Sequence, residues 1–125
     1  MIPLKNVLLI NGVSSGATGL GLITLSRFFA ELFQVRSSAV FTEVGVFLVV
    51  FSLFVIFQGT RSVIRAKSVQ VIIALDILWV IASFITAIAM KSGISPIGVF
   101  MIIAVALWVA AMAYLQTKGL KQSTN

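Results

Sequence analysis

Apolar side chains run along this chain in four blocks, at about residues 4–25, 44–59, 69–90 and 96–116, and polar or basic residues close each block. A bilayer's hydrocarbon core is ~30 Å thick, and ~20 apolar residues in a helix cover it at 1.5 Å each. The pattern therefore predicts four membrane-crossing helices, the second with room to begin a turn earlier. Pro3 and Pro96 stand where helices start, because a first-turn residue needs no N–H partner. Between the first two blocks, Phe28, Phe29, Leu32 and Phe33 gather on one helical face and Arg27 and Glu31 on the other. That segment, 27–36, reads as a short helix lying at the membrane surface. Connections this short make helices antiparallel neighbours, so the expected fold is all-α: one domain over 1–125, a four-helix transmembrane up-down-up-down bundle.

Composition agrees and sets the orientation. Of the 125 residues, 60% are hydrophobic and 10% charged, where a soluble domain carries nearer ~25% charge. The net charge of +6 comes from nine Lys and Arg against three acids. These cations flank apolar blocks, so they suit lipid headgroups and topology, and nucleic acid is not expected as a partner. Lys5, Arg61, Arg65, Lys67, Lys118 and Lys121 would share one side, with Arg27, Arg36 and Lys91 on the other beside Glu31 and Glu43. The excess predicts a multi-pass protein of the cell inner (plasma) membrane with both termini cytoplasmic. The chain has no Cys and no His. Disulfides, thiolate or imidazole catalysis and the usual zinc and haem ligands are thereby removed, and neither an enzyme nor a cofactor is expected.

One acid, Asp76, falls inside a span, where an ionisable group is costly and marks a partner or a function. If spans one and three both start on the cytoplasmic side, Asn11 and Asp76 lie about seven residues in, ~10 Å below the same surface. Ser52 and Trp108 fall at a similar level, and Gln58, Tyr114 and Gln116 nearer the cytoplasmic mouth. On span three Ser83 follows Asp76 by one heptad and Trp79 flanks it; on span one Asn11, Ser14, Ser15 and Thr18 share a stripe. A polar pocket opening to the cytoplasm is expected, lined by Asn11, Ser14, Ser15, Asp76, Trp79 and Ser83. Two roles stay open for Asp76. It either ties helices together through hydrogen bonds, or it binds a proton, a cation or a basic substrate. Trp79 and Trp108 lie deeper than an interfacial belt and are expected in the core, each N–H seeking an acceptor. Gly12, Gly16 and Gly19 form an adjoining groove on span one, of the small-xxx-small kind that lets a second helix approach closely.

Asn11-Gly12, Ser15-Gly16 and Gly19-Leu20, then Asp76-x-x-Trp79-Val80-x-x-Ser83, then Leu115-Gln116 and Gly119-Leu120 carry a resemblance. In these the chain resembles a group of small, uncharacterised bacterial four-span membrane proteins. The likeness implies the architecture and no activity. Small multidrug exporters place an acid in the first span where this chain has Asn11, and quinone-linked disulfide enzymes require the cysteines it lacks. The leading expectation is a non-enzymatic accessory or structural component, self-associating through its glycine-rich first span or held in a larger membrane complex. The alternatives are a small dimeric transporter or channel for a proton or cation using Asp76, and a lipid- or quinone-binding protein. Membrane lipids are the expected surroundings in every case.

Overall fold

A computed structural model describes residues 3–124, all of whose regular structure is helical. Four long helices, α1 (Leu4–Thr24), α3 (Ala39–Thr60), α4 (Ala66–Ala89) and α5 (Pro96–Thr124), alternate in direction, with the short α2 (Ser26–Phe33) between the first two. All four are long and apolar enough to cross a membrane. Packing is closest between α1 and α3 and between α4 and α5; α1 joins the two pairs through α5, while α3 and α4 barely meet. The protein is a four-helix up-down-up-down bundle.

The helices outrun the apolar blocks. α3 starts at Ala39 rather than 44, α4 at Ala66 rather than 69, and α5 carries Lys118 and Lys121 on its last turns instead of in a loose tail. Hydropathy marks only what lies in hydrocarbon, whereas i→i−4 hydrogen bonding continues wherever residues tolerate it. The start of α1, the end of α3, the start of α4 and the end of α5 share one end of the bundle. That end holds Lys5, Arg61, Arg65, Lys67, Lys118 and Lys121 and no acid, and is called here the basic end. Arg61 lies 5.4 Å from the Phe57 ring centroid and the Lys118 Nζ 5.5 Å from that of Tyr114, so both cations rest on aromatic faces there.

At the opposite end, α2 is clipped to the bundle. Phe33 meets Phe41 edge-on at 5.0 Å between centroids, and Phe29 stacks on Phe41 at 6.2 Å. The last carbonyls of α2, left over by the helix, are taken up by Ser95: its hydroxyl donates to Leu32 O at 2.6 Å and its N–H to Phe33 O at 2.9 Å. The same hydroxyl accepts from Gly98 N–H at 3.1 Å. Gln34 ends α2 in the left-handed conformation, φ 60°. Ser95→Ala removes both hydroxyl bonds at a buried position. It is expected to destabilise the bundle by about 1–2 kcal/mol and to expose the α2–α3 link to protease first, measured as cleavage between Gln34 and Ser38.

The glycine groove of α1 is filled from within the chain. A methyl group on Gly19 would stand 2.7 Å from the Gly45 carbonyl oxygen, and one on Gly45 the same distance from Gly19 O. Gly16 faces the Ser52 side chain and Gly12 the side chain of Ile56. Small residues thus bring α1 and α3 together along most of their length.

Candidate functional site

Where α1, α4 and α5 converge, three polar side chains close on one another. Asn11 is 1% exposed, Asp76 3% and Gln116 0%. Asn11 Nδ2 donates to Gln116 Oε1 at 2.8 Å and to Asp76 Oδ2 at 3.2 Å. Gln116 Nε2 donates to the same Oδ2 at 2.8 Å, and Ser15 Oγ donates to Asn11 Oδ1 at 3.2 Å. Both donors reaching the carboxyl are neutral amides, and no cation is among its hydrogen-bond partners. Such a triad fixes the rotation and the height of three helices at once. A helix turned or slid by a residue would leave polar groups unpaired in an apolar surrounding.

The elements explain the convergence. Asn11 stands two turns into α1, Gln116 two turns before the end of α5, and Asp76 nearly three turns into α4. With α4 beginning at Ala66, the acid is ~15 Å from the start of its helix rather than ~10 Å. Toward the basic end Leu4, Leu8, Val55, Val69 and Ile72, each 7% exposed or less, belong with Phe51 to the main core cluster. Gln58, 4% exposed near the end of α3, is also buried there, its Oε1 without a partner among the described residues. Two small cavities border the triad: one of about 20 Å³ beside Asp76, Ser15, Phe47, Phe51 and Trp79, and one of about 30 Å³ beside Ser14, Ser15, Thr18 and Trp108. Beside the first of these the Phe47 ring of α3 and the Trp79 ring of α4 stack at 6.3 Å between centroids.

The sequence-derived pocket is thus partly assembled. Asn11, Ser15 and Asp76 share the network; Ser14 donates to the Asn11 carbonyl at 3.1 Å and accepts from Trp108 Nε1 at 3.1 Å. Trp79 walls both cavities, with its indole N–H buried and unpartnered among the described residues. Ser83 lines neither cavity and makes no bond to the triad; a heptad keeps it on the face of Asp76 but places it ~10 Å further along α4. Trp108 is 47% exposed and closes the outer wall between α5 and α1 instead of filling the core. Gln116, expected at the mouth, is the member the sequence reading missed. Its signal was available: Gln116 is an uncharged amide near the level of Asn11 on a helix running the other way, but the α5 extension past 116 had to be known to place it below the surface.

This fold and this buried amide–carboxyl cluster define a four-span helical integral membrane protein with a polar interior joint. No family model, no curated protein and no solved structure matches the chain.

Proposed function

We propose that the chain is a non-enzymatic membrane component, an accessory or structural subunit, whose Asn11–Asp76–Gln116 triad is a clasp between helices. The carrying observation is that Asp76, the buried acid of the bundle interior, is held by neutral donors within the chain rather than offered to a solute. Size points the same way. The neighbouring cavities, about 20 and 30 Å³, admit water and neither a quinone ring nor an acyl chain. The basic end belongs on the cytoplasmic side of a plasma membrane by its excess of Lys and Arg.

A partner would meet α4. The glycine groove of α1 is occupied by α3, so self-association through it is not part of the proposal. α4 has the smallest buried share of the four spans and turns Ile77, Leu78, Ile81, Ile85 and Ile88 outward. Since the chain has no native cysteine, single Cys residues can be placed at Ile81 and Ile85, with Leu53 on α3 as reference. Oxidative cross-linking in native membranes should trap a second polypeptide from the α4 positions and not from Leu53. Uniform absence of cross-links, together with a monomer in mild detergent, would remove the subunit reading.

A further inference from the structure

α3 and α4 barely meet along their backbones, so large side chains bridge them. From within, Phe51 and Val55 of α3 join Val69 and Ile72 of α4 in the core cluster. The outer side of the seam is left open: Phe54 is 38% exposed and Val71 50%. On α3, Phe47, Phe54 and Arg61 recur every seven residues and share a face. On α4, Leu75 packs against the core and beside Phe47 and Phe51, and Val71 follows it one turn nearer the basic end. The stacked rings of Phe47 and Trp79 close this groove at its inner end. Phe47 lies ~21 Å from Arg61 along the helix, and one leaflet's share of the hydrocarbon is ~15 Å, so the groove has the depth of a leaflet. Its mouth is the α3–α4 link, where Arg61 follows the last turn of α3 and Arg65 precedes the first turn of α4, with Lys67 beside them. No acidic side chain shares this end.

We propose that the α3–α4 groove is a binding site for one anionic phospholipid of the surrounding leaflet. The lipid phosphate sits on Arg61 and Arg65, and an acyl chain runs along Phe54, Val71 and Leu75 as far as the Phe47–Trp79 pair. Charge complementarity selects the headgroup. Guanidinium groups hold phosphate oxygens in pairs, and a glycerol headgroup adds no charge, whereas choline would bring a cation to a mouth that already holds three. Arg61 is kept at that level by the Phe57 ring beneath it. Membrane topology treats the cations of this end as interchangeable, but the groove does not: Lys118 rests on Tyr114 of α5, away from the seam. The acyl chain lies against the outside of the bundle rather than in its interior cavities. It leaves Ile81 and Ile85, beyond Trp79 on α4, open to a partner subunit.

The test uses the full chain carrying Trp108→Phe, so that Trp79 alone reports, in phosphatidylcholine bilayers doped with a lipid brominated along its acyl chains. Bromine quenches indole fluorescence only at short range. Brominated phosphatidylglycerol is expected to half-quench Trp79 at a mole fraction roughly 25-fold lower than brominated phosphatidylcholine, about fivefold for each arginine at the mouth. Arg61→Gln and Arg65→Gln should each lower that ratio roughly fivefold, and Lys118→Gln should leave it unchanged. Val71→Phe narrows the groove without altering the charge and should abolish the preference. Equal quenching by the two lipids overturns the proposal, and so does a loss from Lys118→Gln as large as that from Arg61→Gln, which would mean a diffuse surface charge and no groove. Should an arginine variant unfold, the exposed Val71→Phe decides: a preference it does not change overturns the site.

Discussion

Gly19→Ala and Gly45→Ala each lower the stability of the bundle by about 1–3 kcal/mol, the usual cost of forcing an extra methyl group into a filled contact. At both positions the new carbon would meet a backbone carbonyl oxygen 2.7 Å away. A main-chain atom inside a helix cannot rotate aside, so α1 and α3 must separate and loosen the contacts on either side. The neighbouring glycines grade the effect. Gly12→Ala meets Cγ1 of Ile56, which moves only with χ1 and is held near one rotamer inside a helix, and should cost nearly as much. Gly21→Ala meets nothing within 4 Å and should be neutral, or stabilising by up to about 1 kcal/mol through helix propensity. Unfolding titrations of the four variants in mixed micelles check the order. Equal effects at Gly19 and Gly21 would mean that the α1–α3 contact is not as close as described.

Asn11→Leu has the second large effect, a loss of about 2–4 kcal/mol. Asn11 makes three side-chain hydrogen bonds, to Asp76, to Gln116 and from Ser15. Within a membrane bundle each is worth ~0.6–2 kcal/mol, and leucine also leaves the Gln116 carbonyl oxygen without a donor. Asp76→Asn behaves differently. Its amide oxygen can still accept from Asn11 and Gln116, so the bundle should unfold within about 1 kcal/mol of the unaltered protein. Asp76→Leu removes the shared acceptor and falls between the two. Thermal unfolding of the three variants in one detergent measures the ranking. If Asp76→Asn destabilises as much as Asn11→Leu, a carboxylate rather than an acceptor is what the joint requires, and the clasp account fails.

Much of the architecture was legible in the chain because hydrophobic blocks of bilayer length leave one economical solution for the backbone. Four helices, the amphipathic segment around Phe29 and Phe33, and the closeness of Asn11 to Asp76 could all be reached from spacing. Gln116 could not, since hydropathy ends near it while the α5 helix continues. Ser83 was misplaced for the opposite reason. A heptad puts it on the face of Asp76 but ~10 Å further along α4, beyond the reach of the triad, and a shared face does not record that two side chains share partners.

The same division holds for the polar interior as a whole. Composition and charge determined that the chain is a membrane bundle with six of its nine cations at one end, since burial of apolar surface and the cost of burying charge act residue by residue. Which side chains fill the interior together was decided only by the packed structure. That depends on how Leu4, Leu8, Phe51, Val55, Val69 and Ile72 from three helices fill common space, and on the stacking of Phe47 on Trp79 between α3 and α4. Filling is a property of several side chains at once, and sequence order does not contain it.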